Sequence, residues 1–469
     1  MLPSRPFSPE ALRPRATLWM STPFRIALVV VLAVAALVLA LWFIPADTPP
    51  IGQGSPSPTA TVEEPSPSLE PSLTPEPTPT APPTPTVVPT PAPLAVWTGL
   101  VWSDPMTPSF TVHLVDVIAW GDGYVAVGTV ETEAGSAARI LTSPDGLSWT
   151  VAFDPGADHW PQHIVVLGDE ILAFSQRWSP ILPAGHVVGA PPDAFIWRST
   201  DGEHWSAPEA WPTWRSEPVA PLPPGWDEAQ HPIHLGLVDV AAGPTGVVAI
   251  GNAYVDGGLR PVVEFSADGT SWASPTDSMG RDVLLNAIVE HDGRYVVTGA
   301  VGVGPDPADA TAAAWYSDDG LTWVRATIEP DEVGLTQGSE LGPLWAAREG
   351  LIACRGSREM AAGGWHYMDG WTSTDGATWR HSPQPGPHPA CDWSASDGTR
   401  IVSLGPRDHA SPMAWPGVTT ASVSTDGVTW QPLELSSTLT DRLERFWVVP
   451  DGVIYAGEQS FWFGTAVER

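Results

Sequence analysis

Two stretches of the sequence combine aromatic, acidic and basic side chains as ligand-binding loops do. They span residues 207–235 and 356–369, and their candidate binding residues are Trp211, Trp214, Arg215, Trp226, Asp227, Arg358, Trp365 and Tyr367. Aromatic rings beside carboxylates and guanidinium groups suit a carbohydrate or a peptide ligand. The alternative for any single residue is that Trp and Pro side chains pack a long connection onto the domain.

Histidines and carboxylates give a weaker signal for chemistry. His231 and His234 have a spacing that metal ligands use, but no Cys or Glu-x-x-His pattern accompanies them, so we predict no metal and no cofactor. Nine of the twelve histidines, His159 and His163 among them, map to the long connections or their edges. Paired carboxylates for glycoside hydrolysis cannot be selected, because they would come from distant parts of the chain.

The elements that must position these residues are set by a repeat. The motif Ser-x-Asp-Gly-x-x-Trp occurs six times, with its aspartates at Asp145, Asp201, Asp268, Asp319, Asp375 and Asp426. In a hairpin turn Asp accepts backbone N–H bonds and Gly supplies a positive φ, while the Trp begins the next strand with a large apolar surface. We therefore predict a structural role for these aspartates rather than a catalytic one.

A second pattern precedes each turn, and it consists of an alternating strand, a short polar turn and a very apolar strand. Its copies lie at 115–128, 163–174, 238–251, 287–299, 344–354, 394–405 and 446–457. Each complete unit then has four predicted strands, a to d, with the Asp-Gly turn between c and d. Four strands in roughly 50 residues are typical of a propeller blade.

The two ends of this repeat region complement each other. The last unit stops after a predicted strand c at 460–466, and residues 94–102 resemble the outer strand that it lacks. One blade shared between both ends would close a ring and leave no free edge. We therefore predict an all-β, seven-bladed β-propeller over residues 94–469, with six blades as the second choice.

The predicted topology collects the long connections at one end of the ring. Turns a–b and c–d are short and share what we call the short-turn end; connections b–c and d–a share the long-connection end. The long connections are 176–194, 207–235, 302–313, 326–342, 356–369 and 406–418. Because long loops on a rigid scaffold often carry binding residues, we expect a ligand site at the long-connection end.

The N-terminal part predicts a membrane anchor followed by a spacer. Residues 26–44 are 19 consecutive apolar residues, which as a transmembrane helix would span roughly 28 Å. Arginines flank this segment only on its N-terminal side, which predicts a cytoplasmic segment at 1–25 and an extracytoplasmic remainder at the plasma membrane. A cleaved signal peptide is the alternative. Residues 45–93 are rich in Pro, Thr and Ser and predict an extended linker.

The net charge and the two cysteines give further information about the ligand class and a disulfide. The net charge is -32, and residues 45–469 hold 17 Arg against 52 Asp and Glu, which argues against nucleic-acid binding. Cys354 and Cys391 would both lie in an oxidising compartment, which favours a disulfide over the alternative of two unpaired buried thiols. The expected partners are the membrane, through the N-terminal helix, and a glycan or protein ligand; we expect a monomer.

The repeats resemble those of the Asp-box, or bacterial neuraminidase repeat, propellers of the sialidase-like superfamily. The family motif is Ser-x-Asp-x-Gly-x-Thr-Trp, whereas here Gly directly follows Asp in all six copies. The resemblance covers most of residues 94–469 and implies the propeller fold. Sialidases of this type imply an Arg-Ile-Pro segment, three arginines and a Tyr–Glu pair. Arg-Ile-Pro is absent, Arg139-Ile140-Leu141 is the nearest match, and no catalytic residue is carried over.

These observations together predict a membrane-anchored, non-catalytic binding or scaffold module outside the cell. The anchor, the linker, the structural repeats and the missing sialidase residues favour it. The alternative is a cell-surface glycoside hydrolase of the same superfamily, which would use carboxylates at the long-connection end.

Overall fold

The computed structural model describes residues 95–468 apart from 134, 157–158, 178–193, 212–235, 256–257, 276–278, 305–308, 330–338, 358–365, 383–392, 406–416, 442 and 458–459. The predicted cytoplasmic segment, transmembrane helix and linker (1–25, 26–44 and 45–93) lie outside these residues. Within them the fold is all-β, without an α-helix. No helix in the described part of the chain could cross a membrane.

Among the described residues the first strand is β1 (Trp97–Trp102), which joins the last described strands. Antiparallel meanders follow it along the chain. The first meander contains β2 (Val112–Trp120), β3 (Gly123–Thr132), β4 (Gly135–Ser143) and β5 (Thr150–Phe153). The second contains β6 (His159–Leu167), β7 (Glu170–Arg177), β8 (Ala194–Ser199) and β9 (Glu209–Ala210). The third contains β10 (Gly236–Gly243), β11 (Gly246–Val255) and β12 (Gly258–Ser266), and a bridge from Phe265 to Ala273 follows its last strand.

The next meanders repeat this arrangement. The fourth contains β13 (Val283–His291), β14 (Arg294–Val301), β15 (Thr311–Ser317) and β16 (Val324–Arg325). The chain then forms β17 (Thr327–Ile328), which pairs in parallel with the last strand of the fifth meander. The fifth contains β18 (Ser339–Ala347), β19 (Gly350–Ser357), β20 (His366–Ser373) and β21 (Thr378–Ser382).

The last strands of the chain share one eight-stranded sheet with β1. The sixth meander contains β22 (Ser394–Ser396), β23 (Ile401–Gly405), β24 (Thr420–Ser424) and β25 (Gln431–Leu435). The closing meander contains β26 (Leu443–Val449), β27 (Gly452–Gly457), β28 (Phe461–Glu468) and, as its outer strand, β1. Leu100 of β1 lies opposite Ala466 of β28 in antiparallel pairing, so the outer strand expected from residues 94–102 is observed.

The six Asp-Gly turns share one hydrogen-bond pattern that their local sequence explains. In the first, Asp145 Oδ1 accepts the N–H groups of Leu147 at 2.9 Å and of Ser148 at 2.7 Å. The other five aspartates likewise accept the N–H groups two and three residues ahead. All six glycines have φ between 68° and 78°, the left-handed region that glycine enters most easily. These turns therefore form from local interactions.

Apolar clusters join each meander to the next in a closed cycle. Buried side chains are shared between the first and second meanders, and in the same way along the chain to the fifth and sixth. The sixth shares a cluster with the closing meander, which in turn shares Ile454 and Phe461 with Leu114 and Leu141 of the first. The cycle also fixes Gly146, where a Cβ would lie only 2.9 Å from Phe463. Burial between meanders thus supplies the core.

Candidate functional site

The first strand of each meander is called its inner strand. In the first three meanders these strands (β2, β6 and β10) carry titratable side chains at one shared register position. Each of these strands has an irregularity in its pairing with the following strand, and the first paired residue after it is Asp116, His163 or Asp239. The position lies at or next to the middle of each strand. We call Asp116, His163 and Asp239 the inner-strand cluster.

Asp116 connects the first meander to the second. Its Oδ1 accepts the N–H of Val117 at 2.9 Å, and its Oδ2 accepts the N–H of Ile164 on β6 at 3.0 Å. Burial raises the pKa of Asp116 to about 6, although the charge of His163 and the two amide hydrogen bonds act in the opposite direction. A carboxyl group with this pKa gains or loses its proton close to neutral pH.

Asp239 makes the equivalent connection from the third meander to the fourth. Its Oδ1 accepts the N–H of Val240 at 2.8 Å, and its Oδ2 accepts the N–H of Ile288 on β13 at 2.9 Å. Burial raises the pKa of Asp239 to about 6 against the effect of these amides. The charge of Asp239 also contributes to the raised pKa of Asp116, so the two carboxyl groups titrate as neighbours.

His163 lies between these aspartates on the second meander. Its Nδ1 is 3.5 Å from Asp239 Oδ1, and the two side chains are 20% and 28% exposed. Burial lowers the pKa of His163, while the charge of Asp116 and a hydrogen bond to the backbone of Val238 raise it and the charge of Arg445 lowers it. The imidazole is therefore mainly neutral at pH 7, and the cluster carries negative charge there.

Other polar side chains on the inner strands also contact a neighbouring meander. Arg445 of β26 donates from Nη1 to the carbonyl oxygen of Val115 at 2.8 Å, and the neighbouring Glu444 lies 3.2 Å from His113 Nδ1. Asn286 of β13 donates to the carbonyl oxygen of Leu341 at 2.8 Å. In the described ranges no group of three His, Cys, Asp or Glu side chains is arranged to hold a metal ion. The inner-strand cluster and these polar side chains can bind polar groups, and the cluster can exchange protons.

Of the eight binding residues predicted from the sequence, Trp211 and Tyr367 lie in the described part of the chain. Trp211 is 3% exposed and packs against Trp272 and Phe174, with ring centroids 4.6 Å and 5.8 Å away, so it belongs to the core rather than to an open ligand surface. This burial agrees with the alternative interpretation, in which Trp side chains pack a long connection onto the domain. Tyr367 lies within β20, opposite Gly356. The predicted residues outside the described ranges are Trp214, Arg215, Trp226, Asp227, Arg358 and Trp365.

The structure describes some of the cysteines and histidines that the sequence analysis considered. Cys354 is fully buried in β19 and disulfide-bonded. Cys391, the other cysteine of the chain, lies outside the described residues, as do His231 and His234. His159 lies edge-on to Phe195 and Trp197, with centroids 4.6 Å and 5.0 Å away, so it serves packing.

Sequence reasoning missed the inner-strand cluster. The copies at 115–128, 163–174 and 238–251 contain its residues, but there they read as polar positions of alternating strands. A signal was present, because Val115-Asp116-Val117 and Val238-Asp239-Val240 place an aspartate between β-branched residues at matching points of two copies. Asp is depleted in strands, so its recurrence at one point indicates a specific partner.

No family model matches the chain, and no curated protein matches it. Among solved structures, a Trypanosoma rangeli sialidase in complex with the inhibitor DANA is similar at 13% identity and a TM-score of 0.39, covering 78% of this chain and 57% of that protein. A Dyadobacter fermentans protein of unknown function is similar at 15% identity and a TM-score of 0.40, covering 80% and 99%. The polysaccharide lyase Uly1 is similar at 8% identity and a TM-score of 0.46, covering 76% and 90%. The chain thus spans a little over half the length of the sialidase.

Proposed function

We propose that this chain is a membrane-anchored, extracytoplasmic binding module built on a seven-bladed β-propeller. Residues 26–44 would anchor it, residues 45–93 would extend it from the membrane, and residues 94–469 would form the ring as a monomer. The closed cycle of apolar clusters and the pairing of β1 with β28 support the seven-bladed arrangement. A carbohydrate or protein ligand would bind at the long-connection end.

One observation carries the choice of binding over catalysis. Both oxygens of Asp116 and both oxygens of Asp239 accept backbone N–H groups, one within the meander and one from the next. A general acid or a nucleophile needs an oxygen that is directed at the substrate. Here each oxygen is held by a backbone N–H and keeps a second lone pair, so the carboxylates form a rigid, negatively charged surface that can still accept hydrogen bonds.

The chemistry of this surface favours a particular kind of ligand group. The mainly negative inner-strand cluster and the surrounding carbonyl oxygens accept hydrogen bonds, so sugar hydroxyls or amino groups of a protein are suitable donors. Phosphate-rich ligands are disfavoured by the net charge of -32. A neutral glycan or a basic protein segment therefore fits the proposal best.

The test is a binding screen that is read together with turnover. Full-length protein in detergent is applied to a glycan panel and, in parallel, to fluorogenic glycosides, with and without chelator. We expect saturable binding without turnover, reduced by Asp116→Asn and unchanged by Asp169→Ala, an exposed turn aspartate. Known membrane-surface proteins are tested as ligands in a separate assay. If neither the glycan panel nor these proteins bind, the proposal is contradicted.

A glycoside hydrolase is the second candidate, and the pKa values of about 6 at Asp116 and Asp239 favour it. A carboxyl group with such a pKa can hold a proton for a leaving group near neutral pH. Turnover of a glycoside that Asp116→Asn and Asp239→Asn abolish, and that Asp169→Ala leaves intact, would establish this function and overturn the binding module.

A further inference from the structure

A cavity of about 560 Å³ lies at the short-turn end, among the fifth, sixth and closing meanders. Its walls come from the a–b turn of the fifth meander, the Asp-Gly turn of the sixth and the start of β1. The N–H of Arg348 donates to the carbonyl oxygen of Thr399 at 2.9 Å, and that of Glu349 to Thr425 at 2.8 Å, which holds the turns together. The cavity therefore has a fixed frame.

A buried arginine contributes to the wall of this cavity. The Arg400 guanidinium stacks 4.2 Å from the Trp97 ring centroid, and the residue is 6% exposed. Its Nε lies 3.6 Å from Asp397 Oδ2, beyond hydrogen-bond distance. Asp397 Oδ1 is engaged by its own turn, where it accepts the N–H groups of Thr399 and Arg400 at 2.8 Å.

Arg400 therefore has charge compensation, but two of its three side-chain nitrogens lack hydrogen-bond acceptors within the described part of the chain. Neither its Nε nor its Nη1 has an acceptor among the described residues, although both atoms are buried. A buried guanidinium donor without an acceptor is unfavourable, because it loses water without gaining a partner. An acceptor supplied by a ligand in the cavity would remove this cost.

We propose that this cavity binds a single carboxylate group of a ligand, with Arg400 as the main donor and Arg348 as the second positive charge. In the planar guanidinium, Nη2 is the neighbour with which either Nε or Nη1 can offer a carboxylate two parallel hydrogen bonds. Glu349 and Asp426 also line the cavity and oppose a doubly charged anion such as phosphate. A carboxylated sugar and a peptide C-terminus share this chemistry.

This site is independent of the inner-strand cluster, because its lining residues come from the fifth, sixth and closing meanders, whereas the cluster lies on the first three. The test is isothermal titration calorimetry of the full-length protein at constant ionic strength. The probes are glucuronate, glucose, inorganic phosphate and a short acetylated peptide with either a free or an amidated C-terminus. We expect saturable binding of glucuronate or of the free-acid peptide, and the stronger of the two identifies the source of the carboxylate.

Two variants and a control make the result decisive. Arg400→Lys keeps the charge but loses the planar fork, and we expect about tenfold weaker carboxylate binding. Gln431→Glu places a negative charge at an exposed position of the cavity wall, should leave folding intact and should weaken binding by a similar factor. Arg325→Ala removes an exposed arginine near Trp315 and should change nothing.

Three results would overturn the carboxylate site. The first is no saturable binding of either carboxylate probe. The second is phosphate binding more tightly than glucuronate. The third is unchanged carboxylate affinity in Gln431→Glu, which decides the matter alone if Arg400→Lys fails to fold.

Discussion

The turn aspartates and the inner-strand aspartates make similar hydrogen bonds, yet their pKa values move in opposite directions. Asp145 and Asp239 each accept two backbone N–H groups. For Asp145 burial is the largest single influence and raises the pKa, but the amide and hydroxyl hydrogen bonds together outweigh it, so the pKa is lowered. For Asp239 burial outweighs its amides, and the pKa rises to about 6. Accepted amides alone therefore do not determine which protonation state a carboxyl group prefers.

The difference also separates two structural roles. Asp145 closes a turn within four residues of itself, near solvent, whereas Asp239 joins two meanders through Ile288, 49 residues away. The first role can be performed wherever the motif occurs. The second requires that two distant strands be packed first, so it depends on the tertiary fold.

The largest expected effect comes from removing an inner-strand aspartate. Asp239→Ala leaves the N–H groups of Val240 and Ile288 without their acceptor, and we expect the free energy of unfolding to fall by about 3 kcal/mol at pH 7. Chemical denaturation measures the change, with Asp169→Ala as the control. A loss no larger than that of a turn variant would show that the two classes of aspartate are equivalent.

The second prediction concerns pH. Because the pKa of Asp116 and of Asp239 is about 6 in the folded protein and near 3.8 when unfolded, the folded state binds these protons more tightly. Their contribution to stability therefore grows as pH falls from 7 to 5, by on the order of 2 kcal/mol in wild type relative to the double variant Asp116→Asn/Asp239→Asn. Unfolding curves at pH 5, 6 and 7 test this; a difference independent of pH would contradict the raised pKa values.

The third prediction reverses the sign at a turn. Asp145→Ala should cost about 1 kcal/mol at pH 7, since water can replace part of the lost hydrogen bonding at this exposed turn. The folded pKa of Asp145 is lowered, so its contribution is present above about pH 4 and is lost as pH falls further. Denaturation of wild type and variant should give a constant difference from pH 5 to 7. A difference that changes across that range would place Asp145 with the inner-strand aspartates.

The smallest effect is expected at His163. His163→Gln removes a ring whose protonated form lowers the pKa of Asp116, so the pH at which the inner-strand contribution is lost should move upward. The shift should be well below one pH unit, because burial lowers the pKa of His163 and keeps its ring mainly neutral in this range. The same pH series on the variant measures it, and a downward shift would contradict the assignment.

The sequence is informative where interactions are local. Six turns could be anticipated because the Asp and Gly of each motif act within a few residues, and the apolar strands could be placed because their side chains are buried between meanders. The pairing of β1 with β28 followed from the missing strand at the other end of the repeat. These features depend on patterns that a single chain displays directly.

The candidate site is different, because three separate meanders supply its residues. Nothing in the sequence states that Asp116, His163 and Asp239 approach one another, since this depends on how the inner strands are packed. Trp211 illustrates the packing alternative. The aromatic and charged residues of the connection that contains it suggested a ligand surface, whereas its own ring packs against Trp272 and Phe174. Aromatic content identifies a large apolar surface without saying whether protein or ligand buries it.

The pairing of β1 with β28 imposes an order on biosynthesis. Thr98 donates a hydrogen bond to the carbonyl oxygen of Val467, 369 residues later, so β1 is synthesised long before the strand with which it pairs. Until β28 is available, β1 and its two tryptophans remain an apolar edge that other chains can pair with. Completion of the domain is therefore a late event, and losing the final strand should expose the beginning of the domain as well as its end.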